Sequence, residues 1–243
     1  MKPFMHRAST LGCKPLLAAL LLLTQLPAAL AQSYCASDGQ PQPVQLMERF
    51  INANCDSCWT DPATPVAGKG VLALDWIVPG DLGDDAPLSA AATRDALTRL
   101  QTLGEAIPAA TATRSQALKA FKGSRLRVAH GLPVADYLGT SIELKPIPAA
   151  AKGQRWSAWL ALVETLPAGT EGSPIERNLV RNLLQQSWDG RIQLSKTERN
   201  RFFEARSMAI APAANPNRLR VIGWVENEAG QVLAAAQSRC KTP

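Results

Sequence analysis

Two pairs of cysteines constrain this chain more than any other feature. Of its five cysteines, Cys13 falls in an N-terminal stretch with the marks of a secretory signal. Lys2, Arg7 and Lys14 give a basic start with no acidic residue, Leu16 to Leu23 is almost wholly apolar, and Ala29-Leu30-Ala31 supplies small residues ahead of Gln32. The apolar run is shorter than the roughly 20 residues a membrane span takes, so residues 1–31 are expected to be cleaved near Ala31-Gln32. The remaining four, Cys35, Cys55, Cys58 and Cys240, are an even set in an exported chain, the pattern of two disulfides. Cys35–Cys240 is the expected structural disulfide, because the ends of a domain often lie close together. Closing so long a loop is worth roughly 4–5 kcal/mol on the chain-entropy model. Cys55 and Cys58 form a CxxC, whose short loop stabilises less and is freer to serve chemistry.

Export places the protein in the periplasm or outside the cell, with no stable membrane insertion once the signal is gone. The formal charge of +6 includes the three cations of the signal, so the exported chain is near +3. No dense run of Lys and Arg with interleaved aromatics is present, and no nucleic-acid partner is expected. Hydrophobic residues make up 46% of the chain, enough for a packed core.

The CxxC sits between two candidate strands. Val44 to Phe50 has partly alternating apolar character, and Val71 to Val78 is nearly continuous in apolar residues, as in a strand buried on both faces. Strand, CxxC loop, connection, buried strand is the context of a redox CxxC. Only Trp59 to Lys69 separate the motif from the second strand, and Pro62, Pro65 and Gly68 interrupt them, so a long helix does not fit there.

The segment Glu48-Arg49-Phe50-Ile51-Asn52-Ala53-Asn54-Cys55-Asp56-Ser57-Cys58 resembles the E-L-F-T-S-Q-G-C-S-S-C signature of a secreted, thioredoxin-like bacterial family of unknown function. Val71-Leu72-Ala73-Leu74, Leu82-Gly83 with Pro87-Leu88, Asn178-Leu179-Val180-Arg181 and Trp188-Asp189-Gly190 extend the resemblance. It implies an α/β thioredoxin-like N-terminal domain (residues 32–124) followed by a β-rich, sandwich-like C-terminal domain (residues 125–243). The resemblance implies no substrate; the CxxC between two strands in an exported chain is what leads to an expectation of thiol–disulfide exchange, with Cys55 as nucleophile and Cys58 resolving the mixed disulfide. Protein thiols or small thiols of the periplasm would be the partners. Glu48 is a candidate proton acceptor beneath the pair, or else an ordinary strand carboxylate. Pro108 is the candidate for the cis-proline facing the motif, with Pro133 as alternative.

A metal role for the CxxC lacks support, because two cysteines are half a zinc site. The exported chain has one histidine, His130, which does not complete a tetrahedron with that pair. Cu(I) accepts two thiolates, but the usual methionine or histidine support is absent. No cofactor is called for, and no oligomeric state is set. Elsewhere, helices are expected at Ser89 to Leu103 and Thr113 to Phe121. Strands are expected at Arg125 to Ala129, Tyr137 to Leu144 and Trp156 to Glu164, with a hairpin of Leu219 to Glu226 and Gln231 to Ala236. Arg177 to Gln186 fits either a helical stripe or a strand, and its strand neighbours favour the strand. A binding or structural envelope role, with a quiet CxxC disulfide, is the alternative to exchange.

Overall fold

The computed structural model describes residues 34–119, 121, 123–191 and 200–240. The expected signal lies outside them. Residues from Ser33 onward form one compact unit of two packed sheets. The larger sheet contains β2 (Gln45–Asn52), β3 (Val71–Val78), β4 (Thr111–Ala117), β7 (Arg155–Leu166), β8 (Arg177–Asp189), β10 (Leu219–Glu226) and β11 (Val232–Gln237), in the order β11-β10-β7-β8-β3-β2-β4. The smaller contains β1 (Cys35–Ala36), β5 (Arg125–Val134), β6 (Tyr137–Lys145), β9 (Phe202–Ala209) and β12 (Arg239–Cys240), in the order β12-β1-β5-β6-β9. The α-helices are α1 (Asp56–Trp59) and α2 (Arg94–Leu103).

In the large sheet β2, β3 and β8 run parallel, and the other pairings are antiparallel. Parallel neighbours need a crossover of a dozen or more residues, and residues 53–70 supply the one from β2 to β3. The prolines and glycine in it leave room for the single turn α1. Both strands are buried along nearly their whole length, which explains the nearly continuous apolar character of β3. One face of the sheet carries Leu46, Phe50, Leu74, Trp76, Trp159 and Trp224 against α2. Thr93 caps that helix by accepting from the Ala96 N–H at 3.3 Å. On the opposite face, the small sheet packs over the β7–β10 half, and α1 packs over the end of β2 and β3.

Clean alternation in β6 buries Leu138, Thr140, Ile142 and Leu144 and leaves the residues between exposed or half-buried, as expected of an antiparallel sheet solvated on one side. The small sheet lies close against the large one at Gly223. A Cβ there would meet Val128 Cγ1 at 2.6 Å and Ile142 Cδ1 at 2.9 Å, so only glycine fits. The large sheet also curls until its ends meet: the Lys119 N–H, two residues past β4, donates to Val232 O at 3.3 Å.

This architecture corrects the expected α/β thioredoxin-like fold. The parallel β2–β3 pair exists, but its sheet is shared with β7, β8, β10 and β11, and one face is covered by a second sheet instead of helices. Strands from before and after residue 124 thus belong to the same two sheets within one unit. The helix expected at Thr113 to Phe121 is instead strand β4. Its alanines and polar side chains suit a helix locally, but it pairs with β2 over seven registered positions and covers that strand's free edge. The helix expected from Ser89 begins at Arg94. The strand reading of Arg177 to Gln186 agrees with β8, and Leu219 to Glu226 is β10 with the same bounds. Strand β9 was not anticipated from sequence.

Two buried ion networks hold the centre. Arg99 of α2 makes paired bonds to Glu48 (2.7 and 2.7 Å) and to Glu226 (3.1 and 2.6 Å). The indole N–H groups of Trp159 and Trp224 also donate to Glu226, and the guanidinium lies about 5 Å from both rings. Burial pulls the Arg99 proton affinity down, but the two carboxylates more than offset this, and the net shift is upward. Arg99→Met would leave two buried carboxylates facing each other without a cation, and is expected to cost about 3–5 kcal/mol in urea unfolding. A loss below 1 kcal/mol would show that the network contributes little.

The chain ends are joined as expected. Cys35 and Cys240 are directly opposite in the β1–β12 pair and form a disulfide, and Cys55 and Cys58 form the other. Cys35→Ser with Cys240→Ser should lower stability by roughly 4–5 kcal/mol, against about 2 for Cys55→Ser with Cys58→Ser. Denaturant midpoints of the two double variants compare them directly, and equal losses would contradict the loop-length account.

Candidate functional site

The CxxC caps the C-terminal ends of the parallel strands β2 and β3. Leaving β2 at Asn52, the chain turns at once: the Cys55 N–H donates to Asn52 O at 3.0 Å and the Cys58 N–H to Cys55 O at 3.2 Å. Side chains fix this turn. Asn52 Nδ2 donates to Pro108 O at 2.9 Å, the Asn54 N–H donates to Asn52 Oδ1 at 3.0 Å, and Asn54 Nδ2 donates to Asp81 Oδ1. Gly80 lies against this ladder. A Cβ at that position would overlap the amide oxygens of both Asn52 and Asn54, so the loop after β3 approaches the turn only because residue 80 is glycine.

Within the motif, Asp56 and Ser57 are exposed and both cysteines are half-buried. Cys58 packs against the apolar cluster of Ile51, Ile77, Leu166 and Leu179. Cys55 has the Ser57 hydroxyl 3.7 Å from its sulfur. Of the two sulfurs, that of Cys55 is therefore the outward one. Trp59 anchors the turn from below. Its indole N–H donates to Glu171 O at 2.7 Å, its carbonyl accepts from Arg177 Nη2 at 2.9 Å, and the Arg177 guanidinium lies 4.5 Å from its ring centroid.

Arg177 connects the motif to the second ion network. Asp75 in the middle of β3 accepts from Arg177 Nη1 at 2.9 Å, Arg49 Nη2 at 2.7 Å and the Asn178 N–H at 3.0 Å. All three charged residues are essentially inaccessible. Two guanidinium groups share one carboxylate, so the network beneath the CxxC turn carries a surplus positive charge. Burial lowers the proton affinity of Arg177, Asp75 partly restores it, and Arg49 lowers it further. An arginine nevertheless stays charged.

A cleft of about 350 Å³ opens beside the motif, lined by Asp56, Trp59, Ile77, Leu88, Leu179 and Arg181 among others. A β-bulge shapes it. Leu162 and Val163 of β7 pair with Asn182 and Val180 of β8, leaving Arg181 as the extra residue. Bulges re-aim side chains in this way, and Arg181 is held by Glu164 at 2.7 and 3.0 Å.

The other candidate residues lie elsewhere. Glu48 is bound to Arg99 on the α2 face of the sheet, opposite the face carrying Asp75 and the CxxC turn, so it does not sit beneath the pair. The cis peptide among the described residues is Lys145–Pro146 in the small sheet, not Pro108. Pro108 instead contributes its carbonyl to the Asn52 contact, and Pro133 lies in β5. Sequence reading passed over Arg49, Asp75 and Arg177. Charges within otherwise apolar strands were the available signal, since a buried charge must find a partner.

The two disulfides suit an oxidising, extracytoplasmic setting. Among the described residues no helix is long and apolar enough to cross a membrane. No family model matches the chain, and no curated protein matches it. Among solved structures the chain is similar to HBP35 of Porphyromonas gingivalis, with 12% identity and a TM-score of 0.48 over 81% of this chain and 74% of that one.

Proposed function

We propose that the protein carries out thiol–disulfide exchange through Cys55–Cys58 outside the cytoplasm, acting on protein thiols or small thiols. The observation that carries this reading is the placement of the disulfide: half-exposed, on a turn fixed by side-chain contacts, beside a cleft, and above a surplus of buried positive charge. Nearby cations favour the thiolate that exchange requires. The cleft offers an apolar floor of Ile77, Leu88 and Leu179 on which a substrate segment can rest.

In the oxidised form, a substrate thiolate attacks the outward Cys55 sulfur. The Cys55–Cys58 bond breaks, and its electron pair leaves on Cys58, which takes up a proton. A second substrate thiolate then attacks the substrate sulfur of the mixed disulfide and releases the Cys55 thiolate. The substrate dithiol loses two electrons and the CxxC gains them. Run in reverse, Cys55 is the attacking thiolate and Cys58 resolves the intermediate.

Equilibration in redox buffers of known potential, with differential alkylation, measures the potential of each disulfide. Cys55–Cys58 is expected to titrate above about −300 mV, the level below which structural bridges resist thiols. In glutathione disulfide, Cys58→Ser should accumulate a mixed disulfide at Cys55. A potential below that level, together with no adduct on the Cys58→Ser variant, would overturn the proposal.

A further inference from the structure

The disulfide between the chain ends has a neighbour that exchange at the CxxC does not use. In the small sheet Cys35 lies opposite Cys240 on one side and opposite His130 on the other. The three side chains converge, with a ring nitrogen of His130 and both sulfurs all within 4.8 Å of one another. His130 Nδ1 lies 2.8 Å from Gly131 O. A carbonyl only accepts, so Nδ1 carries the proton and Nε2 of the neutral ring presents a bare lone pair. That Nε2 is buried and meets no hydrogen-bond partner. His130 as a whole is 5% exposed and Cys35 is 1% exposed, while Cys240 is half-buried and opens the group to solvent on one side.

We propose that, when this disulfide is reduced, Cys35, Cys240 and His130 form a three-coordinate site for Cu(I). Two thiolates and one imidazole are a donor set that suits this soft ion. Tetrahedral zinc calls for a fourth ligand, and among the described residues the group holds three. The electrons balance through an external dithiol. The dithiol gives two electrons and two protons to the Cys35–Cys240 bond and becomes a disulfide itself. Cu(I) then displaces the two thiol protons, and His130 Nε2 donates its lone pair as the third ligand. The ends of the chain are held together in both states, by a sulfur–sulfur bond in one and through the metal in the other. This site is separate from the CxxC and does not depend on its activity.

The test uses the full chain carrying Cys13→Ser, Cys55→Ser and Cys58→Ser, so that no other thiol competes. The chain is reduced with dithiothreitol, freed of reductant under anaerobic conditions, and titrated with Cu(I) against a chromogenic Cu(I) chelator while circular dichroism follows the fold. One Cu(I) per chain is expected for the reduced protein and none for the oxidised protein. His130→Ala is expected to weaken binding at least about ten-fold, given that even groups outside the ligand shell are worth that much. Cys240→Ser, at the half-buried position, should abolish tight binding with the fold retained. The proposal is overturned if the reduced chain binds no copper, whether folded or unfolded, or if binding is undiminished in both variants.

Discussion

The fold is organised around two adjacent charges in the middle of one strand. Glu48 and Arg49 are neighbours in β2, and a strand sends neighbours to opposite faces. Each is therefore buried in a different layer, and each has to be compensated there. On one face Glu48 shares Arg99 with Glu226, one cation between two anions. On the other, Arg49 shares Asp75 with Arg177, two cations around one anion. The surpluses are opposite in sign and are separated by the thickness of a single sheet. Helix α2 is fixed to the sheet through the first network, and the CxxC turn through the second. Displacing Arg99 would leave two carboxylates in an apolar interior, where their desolvation has no offset.

This arrangement also explains where sequence reading succeeded and where it stopped. Val71 to Val78 and Leu219 to Glu226 were readable because their apolar character is local and their bounds coincide with turns. The β2–CxxC–β3 order was readable for the same reason, and the prolines after the motif correctly excluded a long helix. The overall class was not readable from these pieces. Which layer covers a buried strand is decided by partners far along the chain, and here a second sheet does what the resemblance assigned to helices. Glu48 shows the same limit at the level of one residue. Its partner Arg99 lies 51 positions away, and the other partner of Arg99, Glu226, a further 127, so spacing alone pointed it toward the nearby cysteines. Thr113 to Phe121 failed because its local composition opposes the edge position it fills. His130 was weighed against the wrong cysteine pair, since the β1–β5 register that brings it to Cys35 is not visible in one dimension.

The two disulfides divide the work of an oxidising environment. The terminal pair is built into the register of the small sheet and closes nearly the whole chain, with Cys35 shielded from solvent. The CxxC closes only itself, and its rigidity comes from Asn52, Asn54, Trp59 and Gly80 around it. A turn whose shape is held from outside can open its sulfur bond and keep its geometry. That separation between what holds the fold and what is free to react is the physical basis for proposing the CxxC as the pair that turns over.

The curl of the large sheet has a further effect on how molecules of this protein meet one another. One backbone bond, from the Lys119 N–H to Val232 O, ties the two borders of the large sheet, β4 and β11, to each other. In the small sheet one border strand, β12, is two residues long, too short to template pairing. Its other border strand, β9, is eight residues long and carries Glu204 and Arg206 joined as an ion pair. Charges on a border strand discourage a second copy from docking there. For a protein this rich in strands, a small-sheet rim guarded by charge limits where a second copy can add a strand.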